Sequence, residues 1–385
     1  MSSDIQPTGH FPVVDQGQTF IAGYSDAEAR VIRDDLPLVI FGDHTRCVKY
    51  VDFPFILGAD GTKVLKPKED LFDAKFFYYA LLSFDIPNRG YNRHFILLKE
   101  KKVPRPEKDE QRKIAGVLGV VQRAMEQQER LLALTAELKK ALLHQLFTAG
   151  LRGEPKKQTD IGPVSESWEV VKIQDLVDQG VIAKPMDGNH GNIHPKSGDF
   201  VDSGIPFVMA SDLADGTIDF SGCAYLRKQQ ADRLQKGFAH EGDVLISHKA
   251  TIGVTAIVPK VENYVMLTPQ VTYYRVLDKQ RLNNIYLKAF LDSRLFQEKF
   301  HTVARDGSTR SYIGITKQRE LHIALPSLRE QLEIANCLAL VERKCTLAKK
   351  KSAALTALFR TLLHQLMTAQ LRVHDLDIPD LEPTP

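Results

Sequence analysis

The sequence predicts an α+β protein: two globular units of mixed helix and strand, separated by two long duplicated helices that form an antiparallel coiled coil. The first observation behind this is a repeat, "LLHQLFTAGLR" at Leu142–Arg152 and "LLHQLMTAQLR" at Leu362–Arg372, 220 positions apart. The second is that the match extends backwards at the same offset without insertion. Pro106, Glu110, Gln111, Ile114, Ala115, Leu118, Val121, Arg123, Ala133 and Leu138 return as Pro326, Glu330, Gln331, Ile334, Ala335, Leu338, Val341, Arg343, Ala353 and Leu358. The third is that the stretches between the copies alternate like strands, with only short helical periods. Two copies are too few for a solenoid, which needs at least three stacked units.

Taken in order, residues 1–104 form the first globule. "LPLVIFGDHTRCVKYV" reads as two strands around a turn, and "FFYYALLSF" as a short helix. Residues 105–152 are the first long helix. Its apolar seam is Ile114, Leu118, Val121, Met125, Gln128, Leu132, Thr135, Leu138, Leu142 and Leu146, in steps mostly of four and three. Gly150 is its terminator. Residues 153–323 form the second globule. They open on "GEPKKQTDIGPVSESW", polar with two prolines, which reads as a linker. "GDVLISHKATIGVTAIV" follows as strands and "NIYLKAFLDSRLFQEKFH" as helix. Residues 324–373 are the second long helix, begun by the capping-box spacing Ser327 to Glu330. Its seam is Ile334, Leu338, Val341, Cys345, Ala348, Ser352, Leu355, Leu358, Leu362 and Leu366. At about 1.5 Å per residue each helix spans roughly 60 Å, and pairing the two homologous seams buries both. Residues 374–385 are an acidic, proline-rich flexible tail.

Composition narrows the class. With 43% hydrophobic and 26% charged residues, the chain reads as an ordinary globular protein. It shows neither a signal peptide nor an apolar run of membrane length, and its four cysteines lack metal spacing, so a reducing cytoplasm is expected. The net charge of +3 is too small to imply nucleic acid, so any basic surface must be local. Catalytic signatures are missing: there is no Walker loop, GxGxxG, GxSxG or HExxH, and no Pro-Pro dipeptide for an adenine methyltransferase turn. Glu100-Lys101-Lys102 is an ExK triplet without an evident Pro-Asp partner. His190 and His194 lie in a Gly/Asn-rich stretch that reads as a solvated loop, not a metal site. His144 and His364, near the helix ends, read as solvated or dipole-stabilised.

Polar clusters fall at the turns. The first globule carries His44, Thr45 and Arg46 in "GDHTR", then Lys49, then Arg89, Tyr91, Asn92, Arg93 and His94 in "RGYNRH". The second carries Ser247, Lys249 and Thr251 in "SHKATIG", and Arg305, Ser308, Thr309, Arg310 and Tyr312 in "ARDGSTRSY". These residue types contact phosphates and base edges. Arg46, Arg93 and Arg310 suit bidentate guanine or phosphate contact, Asn92 suits adenine, and Lys49 and Lys249 suit phosphate neutralisation. A hydrogen-bonded turn is the competing account of Asp43 and His44.

This arrangement resembles the specificity subunits of Type I restriction-modification systems. The carriers are the alternating order, Pro106-Glu110-Gln111-Ile114 with Pro326-Glu330-Gln331-Ile334, and the helix endings at Leu142–Leu151 and Leu362–Leu371. "FPVVDQG", "IFGDHTR", "FPFILGADGTKVLKP" and "GYNRH" add to it in the first globule, as do "SWEVVKIQDL", "GIPFVMASDL" and "EGDVLISHKATIGVTAIV" in the second. The likeness covers residues 11–373. It implies two target-recognition domains reading a bipartite, asymmetric target in double-stranded DNA, with the helices docking adenine methyltransferase subunits, two of them, and a restriction translocase. The chain itself would be non-catalytic and bind no cofactor or metal; S-adenosylmethionine, and ATP with Mg, would belong to the partners. A helical scaffold without sequence readout is the alternative, and a nuclease resting on the Glu100 triplet a third reading. One departure stands: the first globule is about 65 residues shorter than the second and has no counterpart of the stretch at Trp168. Either its subtype is shorter or an opening strand and helix have been lost.

Overall fold

The computed structural model describes residues 5–376, apart from 59, 91, 250 and 306–311. The chain forms two compact units, Met1–Leu131 with Ala348–Pro385, and Leu132–Leu347. Each therefore contains one globule and a part of each long helix.

The first unit runs β1 (Phe11–Val14), β2 (Gly23–Ser25), β3 (Val31–Ile32), β4 (Leu38–Gly42), β5 (Val48–Val51), β6 (Phe55–Leu57), β7 (Thr62–Leu65), α1 (Ala74–Leu82), α2 (Phe95–Lys99) and the start of α3 (Lys108–Ala149). One sheet has the order β2-β1-β6-β3, with β1 and β6 parallel. A second, β5-β4-β7, is antiparallel. The unbroken apolar run of β4 follows from its burial on both faces. Val39 and Phe41 join the core of α1, while Leu38 and Ile40 meet Val14, Val51 and Phe55.

The second unit begins with the hairpin β8 (Lys156–Thr159) and β9 (Gly162–Ser165), then β10 (Glu169–Lys172), α4 (Ile173–Asp178), β11 (Met186–Asp187) and β12 (Phe200–Val201). It continues through β13 (Ile205–Val208), the ribbon β14 (Leu213–Ala214) and β15 (Thr217–Ile218), β16 (Ala224–Leu226), α5 (Lys228–Ala231), β17 (Phe238–Ala239), β18 (Val244–Ser247), β19 (Thr255–Ile257), β20 (Val265–Leu267) and β21 (Val271–Tyr274). It closes with α6 (Asn284–Asp292), α7 (Arg294–Arg305), α8 (Ile315–Arg319), β22 (His322–Leu325) and the start of α9 (Leu328–Met367). The first unit's plan recurs here. β13 and β20 are parallel like β1 and β6, β19-β18-β21 repeats β5-β4-β7, and α6 stands where α1 does. The second unit adds β10 paired on β22, β11 on the free side of β21, and α4 against α8. None of these additions has a counterpart among the first unit's described residues.

The polar opening expected as a linker is in fact the β8–β9 hairpin. Lys156 is exposed and Lys157 half-buried, its ammonium donating to Glu166 O at 2.8 Å, while Ile161, Val164 and Trp168 are buried in the core. The stretch after Arg372 also differs from a frayed tail at its start, because Val373 is buried in the first unit's core. The rest of that tail, from residue 377, lies outside the described residues.

The helices pair antiparallel within each unit. In the first, Glu110 meets Arg372 at 2.9 Å and Gln128 Nε2 donates to the Ala348 carbonyl at 3.3 Å, with Ile114 and Leu118 sharing a core with Phe359, Leu363 and Leu366. In the second, Lys139 meets Glu342 at 2.9 Å and the Leu151 amide donates to Glu330 at 3.2 Å, with Leu146 beside Ile334 and Leu338 in one core. Val121, Leu142 and Leu362 pack on these cores, and Val341 is buried. Two seam expectations fail in the same way. Leu138 and Leu358 are 51% and 46% exposed. Two successive steps of three lag the seam by about 120° at about 100° per residue. The strict alternation continues instead through Lys139, half-buried in an ion pair, and Phe359, which is buried.

Candidate nucleic-acid interface

Each globule places its polar turns at one end of the strand pair β4–β5 or β18–β19. In the first unit Gln16 gathers three loops: its carbonyl side chain accepts from His44 N at 3.1 Å, its amide donates to Asp60 O at 2.9 Å, and its backbone carbonyl accepts from Thr45 Oγ1. Arg46 sits in the left-handed region at φ 64° and donates to Ile86 O at 2.8 Å. Asp43 is buried and its carboxylate accepts from Phe95 N at 2.8 Å. His94, fully buried, has Nδ1 2.9 Å from Asp43 O, while Nε2 accepts from Arg89 N at 3.2 Å. Those two contacts fix the neutral tautomer with its proton on Nδ1. The 88–93 loop is thereby braced against the 43–46 turn, and His44 Nδ1 adds a contact to Asn92 O at 3.2 Å.

This geometry sorts the sequence candidates. Arg89, Asn92 and Arg93 are exposed on the braced loop, and His44, Thr45 and Arg46 are half-buried. Tyr91 lies outside the described residues. Lys49 does not reach the surface expected of a phosphate contact: it is 5% exposed, and its ammonium donates to Asp15 O at 2.7 Å and Thr19 O at 2.6 Å. Burial pushes its pKa down against the pull of Asp15. His94 is likewise a brace and not a surface contact.

In the second unit Ser247 is fully buried and its Oγ accepts from Val254 N at 2.9 Å, so it shapes the turn and does not contact solvent. His248 beside it contacts Thr272 Oγ1 at 2.6 Å and Pro269 O at 3.1 Å, and burial pushes its pKa down to about 4. Lys249 bridges backbone to backbone with Tyr312, joining the turn after β18 to the stretch just before α8, and His248 meets the Tyr312 ring edge-on. Lys249, Thr251 and Tyr312 are exposed here, as is Arg305 at the end of α7. Ser308, Thr309 and Arg310 lie outside the described residues. His190 is exposed as expected of a solvated loop, but the Asp187–Asn189 stretch before it is not. Asn189 is buried and donates to Lys236 O at 2.6 Å, and Asp187 pairs with Lys236 at 2.5 Å and His190 at 2.7 Å. No group of three His, Cys, Asp or Glu among the described residues is arranged to hold a metal.

The residues that hold these globules on the helices escaped the reading by residue type. Gln111 accepts from Asp73 N at 2.8 Å and donates to Leu71 O and Pro106 O at 2.9 and 2.8 Å; Asp73 in turn caps α1 through Phe76 N. Gln331 does the same with Asn283 N, Arg281 O and Pro326 O at 2.9, 3.0 and 3.0 Å, and Asn283 caps α6 through Tyr286 N. The signal was present in the repeat itself, since Gln111 and Gln331 stand at the same place in it. Gln297 in α7 also escaped that reading: within the second globule it donates to Gly253 O at 2.9 Å and steadies the turn after β18.

A family model described as Type I restriction modification DNA specificity domain matches residues 165–357, half of the chain. The MjaVIII specificity subunit of Methanocaldococcus jannaschii, a Type I restriction enzyme, is 22% identical over 288 residues, covering 72% of this chain and 63% of that protein. The EcoR124I/EcoR124II specificity subunit of Escherichia coli is 30% identical over 142 residues, 36% of this chain and 34% of its own. The chain thus spans less than two thirds of the length of these relatives. The solved S subunit of the Type I restriction-modification system from M. genitalium shares the fold with a TM-score of 0.63 at 18% identity, over 95% of this chain and 91% of that one. No described helix is long and apolar enough to cross a membrane.

Proposed function

The chain belongs to the Type I restriction modification DNA specificity domain family, and on that premise we propose that it is the non-catalytic subunit that selects the DNA sequence for a Type I restriction-modification complex. One observation carries this reading. Two units built on the same strand order and the same glutamine latch present different exposed side chains at the equivalent end: Arg89, Asn92 and Arg93 in one, Lys249, Thr251, Arg305 and Tyr312 in the other. A common scaffold with two different tips is what a reader of two unlike half-sites requires, since base-edge contacts specify while the scaffold only positions.

Methyltransferase subunits would dock on the duplicated helices, the same surface being met twice, and a restriction translocase would complete the assembly in the cytoplasm. S-adenosylmethionine, and ATP with Mg, would be held by those subunits, and the adenine would be flipped by the methyltransferase. The test is to co-express the chain with its methyltransferase in cells lacking adenine methylation and map methyladenine across the genome with and without the chain. A bipartite asymmetric motif that depends on the chain is expected. Methylation without a motif would point to the scaffold alternative.

A further inference from the structure

The two units differ at one segment in a way that sequence offset makes readable. In the second unit β22 is covered by β10, and Leu321 and Leu325 are buried at 8% and 6% exposure. At the same offset of 220, the first unit has Lys101 and Arg105, with Lys102 in place of His322. All three are exposed, and no strand lies against them among the described residues. Lysine and arginine have replaced leucine where the covering strand is missing, so this is a surface written for water or for an anion, not an apolar edge left bare.

The cations continue onto the neighbouring elements. Lys99, at the end of α2, and Lys63, on β7, both bring their ammonium groups to the Phe95 ring, 5.7 and 6.0 Å from its centroid. No carboxylate among the described residues lies within 4.0 Å of Lys63, Lys99, Lys101, Lys102 or Arg105. Like charges converging on one ring repel unless an anion joins them, and the ring's quadrupole offsets only part of that cost. Arg93, exposed just before α2, adds a further cation on the 88–93 side.

We infer that Lys63, Lys99, Lys101, Lys102 and Arg105 form a sequence-independent contact for the phosphate backbone of DNA flanking the first half-site. The inference rests on the DNA-reading role proposed above and adds a place where affinity, not specificity, is set. The full chain, in complex with its methyltransferase, would be titrated with a random-sequence duplex at several salt concentrations. Lys99→Gln/Lys101→Gln/Lys102→Gln should reduce the slope of log affinity against log salt by about two to three, at about 0.9 per phosphate contact, and weaken all sequences alike. Lys63→Gln alone, on a different element, should reduce it by about one. Unchanged thermal melting shows that neither variant acts by unfolding. If the wild-type complex binds no DNA, the reading of the whole chain fails. If it binds with a salt slope that both variants keep, this surface alone is wrong. Retained slope with loss of the methyltransferase would assign the patch to an acidic protein face and overturn the inference.

Discussion

The two globules are seated on the helix pair by one shared device and one that differs. The shared device is the glutamine latch, Gln111 on the α1 cap and Gln331 on the α6 cap, with near-equal distances. The difference lies one and a half repeats of the seam further on. In the second unit Lys288, 4% exposed, contacts Glu342 at 2.8 Å and Asp292 at 3.1 Å, and Lys139 joins Glu342. In the first unit the equivalent positions hold Gln122 for Glu342 and Phe359 for Lys139, and Tyr79 donates to Gln122 at 2.9 Å while its ring meets Phe359 edge-on. The lesson is that the duplication keeps backbone-directed hydrogen bonds, which any globule can use. The side-chain junction is free to change chemistry with the domain it serves.

Breaking the shared latch should have the largest effect. Gln111→Leu and Gln331→Leu each strand a capping amide and two carbonyls, costing about 2–4 kcal/mol in chemical denaturation. Similar losses in both units are expected; a large loss in only one would end the claim of equivalence. Acid should then separate the units. His248 titrates near 4 when folded and near 6.5 unfolded, so its contribution is present above about pH 6.5 and is lost as pH falls toward 4. That amounts to about 2 kcal/mol between pH 7 and 5, read as hydrogen-exchange protection of the second unit, and His248→Asn should flatten the dependence.

The ionic junction sharpens the contrast. Lys288→Met takes away the ion-pair partner of Asp292 and one of the two cations on Glu342, leaving it only Lys139, and a loss of about 2 kcal/mol is expected, against about 1 kcal/mol for Tyr79→Phe. Burial alone would raise the Glu342 carboxyl, but Lys288 and Lys139 hold it below its ordinary value, while burial opposes and Asp292 and Glu342 overcome in raising Lys288. The pair therefore stabilises above the unfolded carboxylate range and loses that contribution as pH falls through the folded Glu342 value. At the alkaline end it is lost as pH rises through the folded Lys288 value. Glu342→Gln should remove the acid limb in a melting series. The smallest effect belongs to the helix faces: Leu138→Glu and Leu358→Glu should each shift stability by less than about 0.5 kcal/mol, because both side chains are exposed.

The large-scale plan was legible because it rests on a repeat and on periodicity. The order of globule and helix, the strands flanking the 43–46 and 248–254 turns, and the capping of α9 at Ser327 all follow from local pattern. Burial was not legible. Lys49 and His94 have the residue types of a DNA contact, yet the Lys49 ammonium is spent on backbone carbonyls of a distant loop and His94 on the Asp43 carbonyl and the Arg89 amide, information that lies in tertiary contacts. The β8–β9 hairpin was hidden by the polar residues of its strands, and the seam slip at Leu138 by leucine's ambiguity between core and surface.

The central claim is that each globule reads its own half of the target. The most direct measurement is methyladenine mapping with Arg89→Ala/Arg93→Ala and, separately, Lys249→Ala/Arg305→Ala. Each pair should relax one half of the bipartite motif and leave the other half and the gap intact. Relaxation of both halves by either pair, or of neither by both, would contradict it.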